Sequence, residues 1–489
     1  MSNPNQHSGR AASGGMKEVL LIALPLALSS ACNAVNLFVD RMMLTWYSPQ
    51  AMAAGFPAGI TAFAIASIFV GTIGYTGSFV AQYVGAKMDH RVGVAIWQGM
   101  LLALIGGAIC ALTWFIAPAL FRLYGHAPEL QPLESIYYRT LALGTIVMLL
   151  QIALSCFWSG RGKTLMVMAV TATVVLCNIP LNYLLIFGHT LNIPFIGPVT
   201  LPELGICGAA LGTRLAELIG VLIYASAFFG TAKFRRRYRT GRPVFDAELF
   251  RRMLRFGGPN GIQLFLDMAA FNLFIVAMGR ISVEVLTASG IAMALNNLSF
   301  TPMIGLGQSV AILVGQSIGA RDIPHAKRSV ASAFWLMAIY MAIMGMIFSI
   351  YPDPLLRLFG GNIPEETMQL TRTMLKFVTA YLLFDGMFMI YTNAIKSAGD
   401  TRFTMWVGAL MAWTLYALPG VGASIFFQSR TMRLRLGEEA AASWALWSMW
   451  TICVIYIMTA ALVFYWRYRR GRWQSMRVIE SASEAPGVE

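Results

Sequence analysis

Five ionisable side chains stand inside or at the edge of long apolar stretches of this 489-residue chain: Asp40, Arg214, Glu217, Asp267 and Asp385. A charged group at the centre of a bilayer costs about 2.5–3.5 kcal/mol or more, so such residues mark ion or cargo pathways by default. Arg214 and Glu217 are three residues apart, which on a helix puts them on one face where they can neutralise each other. That spacing reads as a structural ion pair, with a cargo role as the alternative. The three aspartates have no basic residue three or four positions away; Arg41 beside Asp40 is the nearest cation. A carboxylate in low dielectric calls for neutralisation by a proton, by a hard cation such as Na⁺ held with further oxygen ligands, or by a cationic solute. One site with competing positive ligands is the simplest physical route to antiport. The alternative for each aspartate is a bond to backbone freed at a helix break, most readily for Asp40 near the outer interface.

The elements that must position these groups follow from composition. Apolar residues make up 57% of the chain and charged residues 12%, too little polar surface for a soluble protein of this length. Apolar windows of about 20 residues, enough to cross a hydrocarbon core of about 30 Å, lie near 17–39, 51–80, 92–118, 138–159, 165–187, 205–230, 257–279, 286–315, 330–351, 376–396, 404–427 and 444–466. The expected fold is all-α and polytopic, with twelve transmembrane helices. Residues 1–15 are polar and the first apolar stretch is long enough to span, so it is expected to insert as the first helix.

The chain also repeats itself. Gly71, Gln82, Gly85, Ala86 and Lys87 return as Gly305, Gln316, Gly319, Ala320 and Arg321, 234 residues later; Ala53-Ala54-Gly55 returns as Ala288-Ser289-Gly290, and Gly162-Lys163-Thr164 as Gly399-Asp400-Thr401. The matches follow spans two and eight, then four and ten, so the two six-helix bundles keep one membrane orientation. Internal duplication of this kind marks transporters that bind cargo between two halves. The expected division is a tail at 1–15, a first lobe at 16–231, a basic linker at 232–256, a second lobe at 257–466 and a tail at 467–489.

The net charge of +14 sorts by loop rather than pointing to nucleic acid. Placing Arg10, Lys17, Lys87, Arg91, Arg161, Lys163, Arg321, Lys327, Arg328, Lys396, Arg402, the linker cations from Lys233 to Arg255 and the arginines at 467–477 on the cytoplasmic side satisfies the positive-inside rule. Both termini are then cytoplasmic. Arg122, Arg139, Arg280 and Arg357 fall opposite, and only Arg430, Arg433 and Arg435 cluster against the rule. Gly160-Arg161-Gly162-Lys163-Thr164 imitates a phosphate loop but has Phe157 where the first glycine belongs and follows a membrane span. The six cysteines form no CxxC pair, and no His cluster exists, so neither disulfide, metal centre nor enzymatic cluster is expected.

Several separated motifs carry a resemblance. Asn36-Leu37-Phe38-Val39-Asp40, Phe265-Leu266-Asp267, Phe384-Asp385-Gly386 with Ser397-Ala398-Gly399-Asp400-Thr401-Arg402, Asn178-Ile179-Pro180-Leu181-Asn182-Tyr183 and Leu204-Gly205-Ile206-Cys207-Gly208-Ala209-Ala210 stand in order along the chain. With them the sequence resembles the multidrug and toxic compound extrusion transporters, particularly the NorM-type bacterial branch. Arg41-Met42 replaces a Thr-containing continuation, and Asp267 shortens a glutamate by one methylene. The resemblance implies a V-shaped pair of bundles in a bacterial inner membrane, exporting amphipathic, often cationic small molecules in exchange for Na⁺ or H⁺, with no cofactor, as a monomer among membrane lipids. It further implies a cation site at Asp267 and Asp385 in the second lobe and at Asp40, Asn178 and Asn182 in the first, the asparagines offering neutral oxygens to a hard ion. Tyr391 and Phe388, one or two turns from Asp385, are cavity neighbours on this reading. Pro25, Pro57, Pro180, Pro259 and Pro302 interrupt spans as static kinks or as points of bending. A lipid-precursor flippase on the same broad fold is the alternative; it needs basic cavity residues, which apart from Arg214 are scarce.

Overall fold

The computed structural model describes residues 14–124, 128–193, 197–279, 281, 283–357 and 365–480. Among these residues, twelve helices are long and apolar enough to cross a membrane: α1 Met16–Tyr47, α2 Pro49–Gly85, α3 Asp89–Phe115, α4 Leu130–Ser159, α5 Thr164–Phe187, α6 Gly205–Phe229, α7 Ala247–Gly279, α8 Thr287–Gly319, α9 Ile323–Ile350, α10 Glu365–Ala398, α11 Thr401–Gln428 and α12 Ala440–Arg469. Helices meet the requirement that every backbone N–H and C=O in lipid find a partner within its own segment. The five prolines singled out above all lie within helices. One hairpin adds to the all-α expectation: β1 His189–Ile193 pairs antiparallel with β2 Gly197–Leu201. Its strands are five residues each, too short to register as a period-two pattern between two long apolar runs. Arg10 and Arg280 lie outside the described residues.

The duplication reaches the backbone. Lys87 and Arg321, equivalent residues, both adopt the left-handed conformation at φ 59°. Around them the same bonds close: Ala86 N–H to Gln82 O and Met88 N–H to Tyr83 O in one copy, Ala320 N–H to Gln316 O and Asp322 N–H to Ser317 O in the other. This is how a helix end satisfies its last carbonyls before the chain reverses. Gly162 and Gly399, at φ 73° and 118°, repeat the agreement after α4 and α10.

Contacts divide the chain into two compact units, Leu28–Phe265 with Val478–Glu489 and Met1–Ala27 with Leu266–Arg477. These ranges differ from the lobes expected at 16–231 and 257–466, and two glycines give the reason. A Cβ on Gly71 of α2 would strike the backbone of Asn260 and Gly261 on α7, while a Cβ on Gly305 of α8 would strike Leu26 and Ala27 on α1. Asn260 Nδ2 also donates to Gly71 O at 2.7 Å. Each copy of this glycine thus admits the opening turns of the other half's first helix. Val19 and Ala23 are buried among α8, α9 and α10 residues such as Val310, Val330 and Val378. Leu249 and Met253 are buried among Tyr83, Val92 and Phe228.

The basic linker is therefore a packed element of its unit. Arg161 lies 4.4 Å from the Tyr238 ring centroid and 4.6 Å from that of Phe157, and donates to Tyr238 Oη; the cation of the phosphate-loop look-alike fastens the helix Ala232–Tyr238 in place. Arg235 donates to the C-terminal carbonyls Phe229 O and Gly230 O. Arg91, one turn into α3, holds Asp246 at 2.8 Å and Glu480 at 2.7 Å, and Tyr83 Oη donates to Glu480 at 2.9 Å. The equivalent residue in the second copy, His325, faces Glu18 at 3.3 Å and shares a hydrogen bond with Ser317 Oγ at 2.7 Å.

Burial alone would raise the Asp246 carboxyl, but the Leu249 N–H and the Arg91 guanidinium outweigh it and hold Asp246 below the usual carboxylate range. A depressed carboxylate contributes stability above its unfolded value, about 3.9, and loses it as pH falls through the lower folded value. The wild type should therefore destabilise below about pH 4 more steeply than Asp246→Asn, read as melting temperature in detergent between pH 7 and pH 3. Superimposable pH profiles would refute the linkage.

Candidate functional site

In the unit containing Leu28–Phe265, three helices bring one polar network together. Asn36 and Asp40 are one turn apart on α1, Asn178 and Asn182 one turn apart on α5, and Thr213 faces them from α6. Asn182 Nδ2 donates to Asp40 Oδ1 at 2.6 Å and to Asn178 Oδ1 at 3.1 Å; Asn178 Nδ2 donates to Thr213 Oγ1 at 3.3 Å; Asn36 Nδ2 reaches Asp40 Oδ2 at 3.4 Å. Both α5 asparagines are fully buried. An ionised carboxylate only accepts, so the amides must supply the donors, and doing so leaves two amide oxygens, Asn182 Oδ1 and Asn36 Oδ1, buried without a hydrogen-bond partner. Unpaired buried acceptors of this kind cost about 1–3 kcal/mol each; with the Nδ2 groups turned to Asp40, these two oxygens face away from the carboxylate.

Next to this network, Arg214 Nη1 and Glu217 Oε2 are 2.6 Å apart, with side chains only 12% and 16% exposed. Glu217 and Asp40 are close enough to interact electrostatically. The approach of α6 to α5 depends on Gly212, where a Cβ would collide with Asn182 Oδ1. Gly212→Val is therefore expected to displace Asn182 and to cut gradient-driven transport as far as Asn182→Ala does, the two being non-additive because they act through one contact. Full additivity in a transport assay of the double variant would sever that link.

In the unit containing Leu266–Arg477, the two aspartates have different surroundings. Asp267 on α7 interacts electrostatically with Lys396 on α10. Lys396 is the basic residue of the last turn of α10. It stands three helical turns beyond Asp385, on the same face. Asp385 is half-buried and lies near Tyr381, Cys453 and Tyr456; Tyr456 on α12 also senses Asp267. Tyr456 stacks on Tyr416 at 5.1 Å, which stacks on Phe274 at 4.2 Å. The rings expected to neighbour the Asp385 cavity are engaged by α12: Phe388 with Phe464 at 5.0 Å, and Tyr391 with Tyr465 at 5.1 Å and Tyr468 at 4.9 Å. Thr213, Lys396 and Tyr456 escaped the sequence reading, as did Glu134 on α4, which is fully buried. For Lys396 the signal was available in its eleven-residue spacing from Asp385.

A chain of twelve apolar helices in two parallel repeats, with carboxylates and amides gathered inside the spans, is a membrane transporter and not an enzyme. The MatE family model matches residues 25–184 and again 259–419, once per repeat, and the chain belongs to that family. It is similar to the probable multidrug resistance protein NorM of Bradyrhizobium diazoefficiens, 26% identical over 83% of this chain and 88% of the relative. Similarity extends to the multidrug resistance protein PmpM of Pseudomonas aeruginosa, 25% identical over 84% and 83%. Among solved structures, the outward-facing conformation of a multidrug resistance MATE family transporter of the MOP superfamily aligns with a TM-score of 0.76 at 18% identity, covering 94% of this chain and 97% of that one. A MOP superfamily transporter from Pyrococcus furiosus, described by the reverse polarity of its binding pocket, aligns with a TM-score of 0.75 at 17% identity over 96% and 100%. At such identities the fold is shared and the site must be argued from its own residues.

Proposed function

We propose that this protein exports small amphipathic, often cationic compounds by exchange with Na⁺ or H⁺ through alternating access. The observation that carries the reading is the Asp40 carboxylate held by Asn182, with the Asn182 and Asn36 amide oxygens left over. Rotated over, those oxygens would meet the carboxylate with like polarity unless a cation stood between them, so the network has one arrangement for the bare site and another for the loaded one. Asp385, with no hydrogen bond to its carboxylate among the described residues, is a second place where Na⁺ or a proton neutralises the chain. Asp267 has Lys396 for this purpose and serves coupling only when that pair opens.

The flippase alternative needs unpaired cations for a pyrophosphate, whereas Arg214 is neutralised by Glu217 and Lys396 by Asp267. The basic linker and turns on one end of the helices favour insertion in the bacterial inner membrane with that end cytoplasmic. About 2.3 kcal/mol per charge per 100 mV is available from the membrane potential, so either ion can drive export. The test is wild-type protein in liposomes, following uptake of a fluorescent organic cation under separately imposed Na⁺ and pH gradients. Uptake under one gradient identifies the ion; none under either removes the antiport reading.

A further inference from the structure

The arginines that break the positive-inside rule lie together on the short helix Arg430–Leu436. It joins α11, which ends at Gln428, to α12, whose apolar stretch starts at Ala440, so this connection is confined to the membrane–water boundary. The first turns of α10 belong to the same end of the unit, because α10 and α11 are joined at their other ends by Gly399 and Asp400. Between these helix ends is a cavity of about 670 Å³ lined by both polar and apolar groups, among them Arg433, Glu366, Gln369, Gln428, Phe427 and Trp447.

Three observations say what the cavity suits. Its charges are mixed: the Arg433 side chain is 44% exposed and is 4.0 Å from a still more exposed Glu438, so the guanidinium keeps donors free, while Glu366 supplies an anion. Gln428, Gln369 and Thr373 add neutral polar groups to the lining. On the end of α11 and the helix that follows it, Leu434, Ile425 and Phe426 are 78%, 59% and 57% exposed, and Trp444 and Trp447 pack 6.1 Å apart on the first turns of α12. Exposed aliphatics beside paired tryptophans and arginines are the make-up of a segment lying at headgroup depth.

We propose that this cavity is a headgroup site for a zwitterionic phospholipid with a primary ammonium, a phosphatidylethanolamine. The phosphate takes the Arg433 fork, a geometry suited to bidentate recognition. The ammonium faces Glu366, and an acyl chain leaves along Phe427 and Trp447. A zwitterion satisfies the mixed charges of the cavity, whereas an anionic lipid leaves Glu366 opposed. Nothing in the proposal depends on the antiport reading, because the site lies away from Asp40, Asp267 and Asp385 in the chain and shares no residue with them.

The test is native mass spectrometry of the full chain titrated with phosphatidylethanolamine, phosphatidylglycerol and phosphatidylcholine, with soluble phosphoethanolamine as a separate arm. Phosphatidylethanolamine should be retained preferentially. Arg433→Gln should weaken retention about tenfold, the loss of one charge-assisted hydrogen-bond pair, and Glu366→Gln should remove the preference over phosphatidylglycerol. Gln428→Trp, which fills the cavity from another wall, should lower retention independently and decides the matter if the Arg433 variant does not fold. Equal retention of all three lipids, unchanged by these substitutions, would mean annular lipid only and overturn the proposal. Phosphoethanolamine binding as tightly as the lipid would assign the site to a soluble phosphate ester and equally overturn it.

Discussion

Asp40→Asn is expected to lower gradient-driven export by about tenfold or more, an effect on the scale of 1.4 kcal/mol or above in the limiting step, while leaving the protein folded. The substitution keeps size and shape but removes the only formal charge in the Asp40–Asn178–Asn182–Thr213 network. An amide at position 40 can still bond Asn182, so the helices stay together; what disappears is the reason for a cation to enter. Uptake of a fluorescent organic cation by proteoliposomes, with melting temperature as the fold control, reads both quantities. Wild-type transport in Asp40→Asn would move coupling to Asp385 in the other unit.

Asp267→Asn should act first on stability. It leaves the Lys396 ammonium without the carboxylate it interacts with, and because both side chains are only half-buried the cost should fall below the about 3–5 kcal/mol of breaking a fully buried pair. Lys396→Met alone should cost a similar amount by stranding the carboxylate. The double variant Asp267→Met with Lys396→Met should recover most of the loss, because replacing both members of an ion pair away from water by apolar groups is often neutral. Thermal unfolding in detergent checks all three. A fully stable Asp267→Asn would show that the two charges do not depend on each other in the fold. A double variant that is stable yet transports normally would make the pair purely architectural.

The membrane class, the twelve spans and the parallel repeat were legible from the chain because hydropathy and duplicated glycines are local signals that survive without knowledge of contacts. The membrane aspartates were legible for the same reason: an acid in an apolar window stands out. What escaped was partnership. Lys396 closes an apolar window and reads as one more cation at a helix end, and only the fold supplies Asp267 within electrostatic reach of it. Thr213 is an ordinary helix hydroxyl until α5 delivers Asn178 beside it. The exchange of helix ends between repeats follows from Gly71 and Gly305, but a repeated glycine does not say which helix it admits.

The Arg91–Glu480 contact also sets an order of assembly. Its two members are separated by 389 residues, which at roughly 5–20 residues per second takes the ribosome tens of seconds or more to traverse. Within that interval Asp246, 155 residues from Arg91, is the carboxylate that reaches the guanidinium first. Arg91 is thus held by Asp246 alone while the second repeat is being made, and Glu480 joins Asp246 on the guanidinium only after the last spanning helix has been threaded into the membrane.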